Sequence, residues 1–141
     1  MKYAVAIDIG GTNTRVALID EELNIVSREQ FSTDNKEPEI TLNKISDIVK
    51  AFDKDITGIG MSCPGPLDLI NGKVVTPPNL NGKWHNLEIS KVLSEKTGKP
   101  VYLDNDANLA GLAEAVVGEG KWLDDDGTPV SYTHLRAHET L

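Results

Sequence analysis

Tyr3–Ile9 and Arg15–Asp20 are apolar runs of strand length, and only Gly10–Thr14 separates them. So short a connection forces the chain back on itself, and Asp8-Ile9-Gly10-Gly11-Thr12-Asn13-Thr14 supplies the means. Consecutive glycines let a backbone turn sharply and bring its N–H groups close to a ligand. Thr12 and Thr14 add hydroxyls at the same place. Successive N–H groups in a concave turn form a nest that suits phosphate oxygens. A carboxylate at a strand end, here Asp8, suits a Mg²⁺ held through water. A Gly-rich hairpin turn beside a solvated aspartate has the same sequence, so this stretch alone leaves the two readings level.

Further along, strands and helices follow one another. Leu23–Phe31 reads as a third strand after the turn at Asp20-Glu21-Glu22, and Ser32–Glu37 as a polar loop. Pro38–Phe52 carries Ile45, Ile48, Val49 and Phe52 at helical spacing, which predicts an amphipathic helix. Ile56–Ser62 is a buried strand ended by Cys63-Pro64-Gly65-Pro66, since proline cannot continue a ladder. Asn71-Gly72 predicts a hairpin within Leu67–Thr76. Leu87–Thr97 reads as a helix with Gly98 past its end and Pro100 blocking continuation. Val101–Asp104 is a short strand, and Ala107–Val117 an alanine-rich helix stopped by Gly118. The order is that of an α/β domain whose hairpin start departs from strict alternation. At 141 residues the chain is long enough for one domain with a real core.

Charge and cysteine content exclude several classes. A formal charge of −8 argues against a nucleic-acid or membrane-surface partner, because an acidic surface repels phosphates at long range. The one cysteine, Cys63, excludes an internal disulfide and a cysteine-rich metal site, and suits a reducing cytoplasm. No apolar run approaches membrane-spanning length, and no basic-then-apolar leader precedes Tyr3.

Two further stretches carry chemistry. Val101–Asp104 runs into Asn105 and Asp106 at a strand-to-helix junction. A carboxylate there faces the cleft beyond the strand end and would accept a proton from a hydroxyl attacking a phosphoryl group. Taken by itself the stretch favours a plainer role for Asp106, a helix N-cap. Gly65, between two prolines, gives a rigid loop where backbone groups approach a ligand. Asn79, after Pro77-Pro78, offers donors and an acceptor together, as sugar hydroxyls do. On composition alone such loops are connectors. Cys63 reads as a small core residue, and His85, with no partner at ligand spacing, as a surface or structural one.

Taken together, DIGGTNTRVALID, GIGMSCPGPLD, PPNLNGKW and LDNDANLAGLAEAVVGEG occur in the order and spacing of the ROK family, which this chain resembles over nearly all of Met1–Lys121. That family comprises sugar kinases and sugar-responsive repressors of the actin-like ATPase superfamily. The resemblance implies an α/β, ribonuclease-H-like, actin-type ATPase lobe: the N-terminal lobe of a ROK kinase, truncated. It implies that Asp8 and Gly10, Gly11, Thr12, Asn13 and Thr14 sit at Mg²⁺ and the ATP phosphates. It implies that Gly65, Asn79, Asn105 and Asp106 line the sugar, with Asp106 the general base. The plainer readings above lose ground accordingly.

What the resemblance lacks here is a second phosphate loop, the later Glu-x-Gly-His sugar motif, the adenine subsite and the cysteine cluster of a structural zinc. Such a zinc therefore belongs to the parent protein, and its ligands are not in this chain. The expectation is a fragment of an ATP-dependent, glucokinase-like hexose kinase, inactive alone, from a homo-oligomeric cytoplasmic parent. The alternatives are a sugar-sensing ROK repressor and a non-catalytic sugar-binding relative. A repressor's helix-turn-helix would precede the phosphate motif, and Asp8 lies too near Met1 for one. Retention of Asp8 and Asp106 together argues against the non-catalytic relative. Val130–Thr140, VSYTHLRAHET, resembles one reading frame of a transposase sequencing adapter. Residues 1–121 are thus read as the lobe, 122–129 as the last native segment and 130–141 as a non-native tail. His134 and His138, which tempt a metal-site reading at i, i+4, lie in that tail.

Overall fold

The computed structural model describes residues 1–63, 67–75, 80 and 82–104. The expected helix Ala107–Val117 and the tail from Val130 lie outside them. A five-stranded sheet in the order β3-β2-β1-β4-β7 forms the frame. Its strands are β1 (Tyr3–Ile9), β2 (Asn13–Asp20), β3 (Ile25–Ser32), β4 (Ile56–Ser62) and β7 (Val101–Asp104). The first three form an antiparallel meander, while β1, β4 and β7 run parallel. Helix α1 (Pro38–Phe52) makes the crossover from β3 to β4, and α2 (Ile89–Thr97) precedes β7. A small hairpin, β5 (Leu67–Asp68) with β6 (Lys73–Val74), lies between β4 and α2.

Strand alternation sorts the side chains onto two faces. Val5, Ile7 and Ile9 of β1 join Val16, Leu18, Ile59 and Met61 against Leu42, Ile45 and Val49 of α1 and Ile89 and Leu93 of α2. Both helices therefore cover one face. On the other, Ala4, Ala6, Ala17 and Ile19 form a second buried cluster. Trp84, fully buried, closes the helix side and donates its indole N–H to the Asp34 carbonyl at 3.1 Å. Ser46 Oγ donates to the Lys96 carbonyl at 3.2 Å and ties α1 to the end of α2.

Most expected elements are present, and the shifts in their bounds have local causes. Asn13 and Thr14, expected in the turn, pair with Ser32 and Phe31 respectively, so β2 begins at Asn13. Leu23 takes φ 66 and turns the chain beneath Asp20, whose carboxylate accepts the Glu22 and Asn24 N–H groups, so β3 starts at Ile25. Leu87, expected in a helix, is extended and bridges Val74, which leaves α2 to start at Ile89. Asp34 prepares the start of α1 by accepting the Lys36 and Glu37 N–H groups ahead of Pro38. Those two bonds hold the Asp34 carboxyl below its ordinary range. Gly98, at φ 72, ends α2 as expected.

Candidate functional site

The tight turn lies at the C-terminal end of β1. Gly10 N–H donates to the Asn13 carbonyl at 2.8 Å and closes it. A Cβ on Gly10 would stand 3.0 Å from that same oxygen, a tight approach that glycine avoids. Neither Gly10 nor Gly11 takes a left-handed φ, and among the described glycines only Gly72 and Gly98 do. The turn is sharp without that strain. Thr12 and Asn13 are exposed, and the Thr12 carbonyl accepts the Thr33 N–H at 2.8 Å, which anchors the turn to the end of β3.

Thr14 departs from what the motif suggested. Its side chain is fully buried, and its hydroxyl pairs with that of Thr33 at 2.8 Å. Opposite Ile9 in the ladder, it lies on the helix-covered face and backs the turn rather than facing outward. Asp8 lies on the other face, level with Arg15 on β2 and Ser62 on β4. It is half-buried, and Ser62 Oγ donates to its Oδ1 at 3.1 Å. Sequence reasoning passed over Ser62, although the parity of β4 against β1 places it there.

Ser62 is in turn level with Asp104 on β7. Asp8, Ser62 and Asp104 thus form one row across three parallel strands, at the edge where ligands gather in α/β sheets. Gly65, Asn79, Asn105 and Asp106, expected to line a sugar, lie outside the described residues. Cys63, just past the end of β4, is buried as a core residue should be. Burial, and after it the charge of Asp8, pushes its thiol up to about 12, so it stays protonated near neutral pH. His85 is exposed, as expected of a surface residue.

A hard cation fits the Asp8 corner chemically. Mg²⁺ keeps several waters and is bound through one or two carboxylates plus substrate phosphates. Asp8 offers one steadied carboxylate beside a turn with N–H groups. Among the described residues no three His, Cys, Asp or Glu side chains converge as a closed metal site. Nor, among them, is any helix long and apolar enough to cross a membrane.

Comparison with known proteins adds what geometry alone does not. The model of the ROK family matches residues 4–125. A glucokinase from Thermotoga maritima is 34% identical over 125 residues, covering 83% of this chain and 38% of its own length. A xylose repressor from Bacillus spizizenii is 30% identical over 126 residues, covering 84% of this chain and 32% of its own. Among solved structures, a ROK family glucokinase from Streptomyces griseus, in complex with glucose and AMPPNP, superposes with a TM-score of 0.62. It is 26% identical and covers 86% of this chain and 39% of that one. The sheet described above is thus the actin-like ATPase fold of ROK sugar kinases, and the chain spans under two fifths of these relatives' lengths.

Proposed function

This chain belongs to the ROK family, and from that premise we propose that it is the N-terminal part of an ATP-dependent, glucokinase-like hexose kinase. The observation that carries the reading is the level placement of Asp8, Ser62 and Asp104 on adjacent parallel strands. Two strand spacings, about 10 Å, separate Asp8 from Asp104. Asn105 and Asp106 follow Asp104 directly in the chain. A hexose hydroxyl and a terminal phosphate between these points would lie within reach of both.

Each residue then has a role. The backbone of Gly10, Gly11, Thr12 and Asn13 and the Thr12 hydroxyl steady phosphate oxygens. Thr14 supports that turn from its buried side. Asp8, held by Ser62, takes Mg²⁺ through water; the cation, when bound, neutralises charge on the phosphates. Asn79, Asn105 and the backbone at Gly65 hold sugar hydroxyls. Asp106 accepts the hydroxyl proton as that oxygen bonds to the γ-phosphorus and the bond to the bridging oxygen breaks. The parent is a cytoplasmic homo-oligomer, and any structural zinc sits in segments outside this chain. Within this chain residues 122–129 are the last native stretch, and 130–141 derive from an adapter.

The xylose repressor match supports a second reading, in which the same lobe senses sugar without turning it over. The parent protein decides between them when assayed for ATP-dependent glucose phosphorylation. Under the kinase reading Asp106→Asn keeps sugar binding while turnover falls by about 10²–10⁴. A loss below about tenfold overturns the base assignment. A parent that binds sugar and releases DNA, yet transfers no phosphate, is the repressor.

A further inference from the structure

We propose that Arg15 and Arg28 form an anion-binding groove on the face of the sheet that carries Asp8, and that it takes an oligophosphate chain extending away from the turn. The inference rests on the reading of Gly10–Asn13 as a phosphate site. Arg15 lies level with Gln30 on β3, and Arg28 level with Ala17 on β2, so all four share one face. Together with Val16 and Glu29 they line an open groove of about 320 Å³. Glu29, which the strand alternation sets apart from Arg28 and Gln30, also borders the groove, where the two guanidinium groups outnumber its one carboxylate. The row Ser62, Asp8, Arg15, Gln30 runs straight from the metal corner into this groove.

These guanidinium groups are left over from the fold. Ion pairs among the described residues are made by Lys73, Lys83, Lys91 and Lys96. Neither Arg15 nor Arg28 joins one, although the chain is acidic overall and both side chains are exposed. Arg15 makes no ion pair with Asp8 even though the two are cross-strand partners, and Asp8 Oδ1 accepts from Ser62 Oγ instead. Arginine presents a planar fork of donors that matches phosphate oxygens two at a time. Two such forks on neighbouring strands, with the Gln30 amide between, suit successive phosphates of one chain.

Calorimetric titration of the 141-residue chain with inorganic tripolyphosphate, and separately with ATP, tests this in EDTA at low salt. Arg15→Gln and Arg28→Gln should each weaken tripolyphosphate binding by about fivefold or more. The double variant should weaken it further, with unchanged unfolding midpoints, and wild-type binding should fade as salt is raised. Equal losses for both probes make the phosphate chain the ligand whatever its source. Losses for ATP alone make the nucleotide the source. A double variant that binds both probes as the wild type does, or a wild type that binds neither, overturns the proposal. Gly10→Ala separates the two readings: if it leaves affinity intact while the arginine variants lower it, the groove stands and the turn assignment fails.

Discussion

Replacing Gly10 by alanine separates the turn's role in folding from the phosphate-binding role proposed for it. The added Cβ would stand 3.0 Å from the Asn13 carbonyl oxygen, which must give by a few tenths of an ångström. That oxygen also accepts the Gly10 N–H at 2.8 Å, so the relief is taken from one hydrogen bond. Losing such a bond costs about 0.5–1.5 kcal/mol net. Alanine returns about 0.4–1 kcal/mol by restricting the unfolded chain, because Gly10 is not at a left-handed φ. The net effect is then between about 0.5 kcal/mol of stabilisation and about 1.1 kcal/mol of destabilisation. Gly72→Ala makes the contrast, since φ is +67 there and a Cβ would meet Ser90 Cβ and Oγ at 2.8 Å. Left-handed strain of about 1–2 kcal/mol and overpacking of about 1–3 kcal/mol add to roughly 2–5 kcal/mol. Urea unfolding of both variants gives these differences. Titration with tripolyphosphate or ATP gives the functional side, where Gly10→Ala should weaken binding by about fivefold while the fold survives. A Gly10→Ala chain destabilised by more than about 3 kcal/mol, or one that binds phosphate unchanged, would refute the reasoning.

Two further outcomes follow from buried groups. The Cys63 thiol holds its proton in the folded chain up to about 12, against 9.0 ordinarily, so its contribution is complete below pH 9 and is lost as pH rises through that window. Stability should fall there by up to about 1.4 kcal/mol per pH unit more than in Cys63→Ala, measured by urea unfolding at each pH; parallel curves would show that the thiol titrates normally. Thr14→Val and Thr33→Val, taken singly and together, should show a coupling of about 0.5–1.5 kcal/mol, and a coupling of zero would mean that the hydroxyl pair does not support the turn.

How far the sequence declares this fold depends on where each element finds its partners. The strands Tyr3–Ile9, Ile56–Ser62 and Val101–Asp104 and the helix Pro38–Phe52 have the bounds expected of them, because apolar period and breaker residues lie within each segment. Leu87 misleads because its neighbours continue a helical pattern. Its backbone is instead taken by Val74, and the Val74 N–H donates to it at 3.0 Å. Asn71-Gly72 signals its hairpin correctly, yet the loop runs from Leu69 to Gly72 and only Gly72 is left-handed. Asp68 accounts for the difference: it accepts both the backbone and side-chain N–H of Asn71, which lowers its carboxyl pKa and fixes a wider turn than two residues would make.

The motif that opens the chain teaches the sharper lesson, because its residues divide between the two faces of one sheet. Asp8 pairs with Arg15 and Ile9 with Thr14. Adjacent pairs in a ladder face opposite ways, so a hydroxyl at Thr14 and a carboxylate at Asp8 cannot serve the same pocket from their side chains. The parity was already legible: Thr14, Val16 and Leu18 share one alternation, and the apolar members fix it to the core. What a single sequence does not supply is the Thr33 hydroxyl, from the end of β3, that lets Thr14 be buried at no loss of hydrogen bonding. The same alternation places Arg15 beside Asp8, outside the core and free of any ion pair among the described residues. A stretch that reads as one phosphate loop thus divides in two: Thr14, buried against Thr33, backs the turn, and on the opposite face stand the carboxylate and the arginine to which the proposals above give ligands of opposite charge.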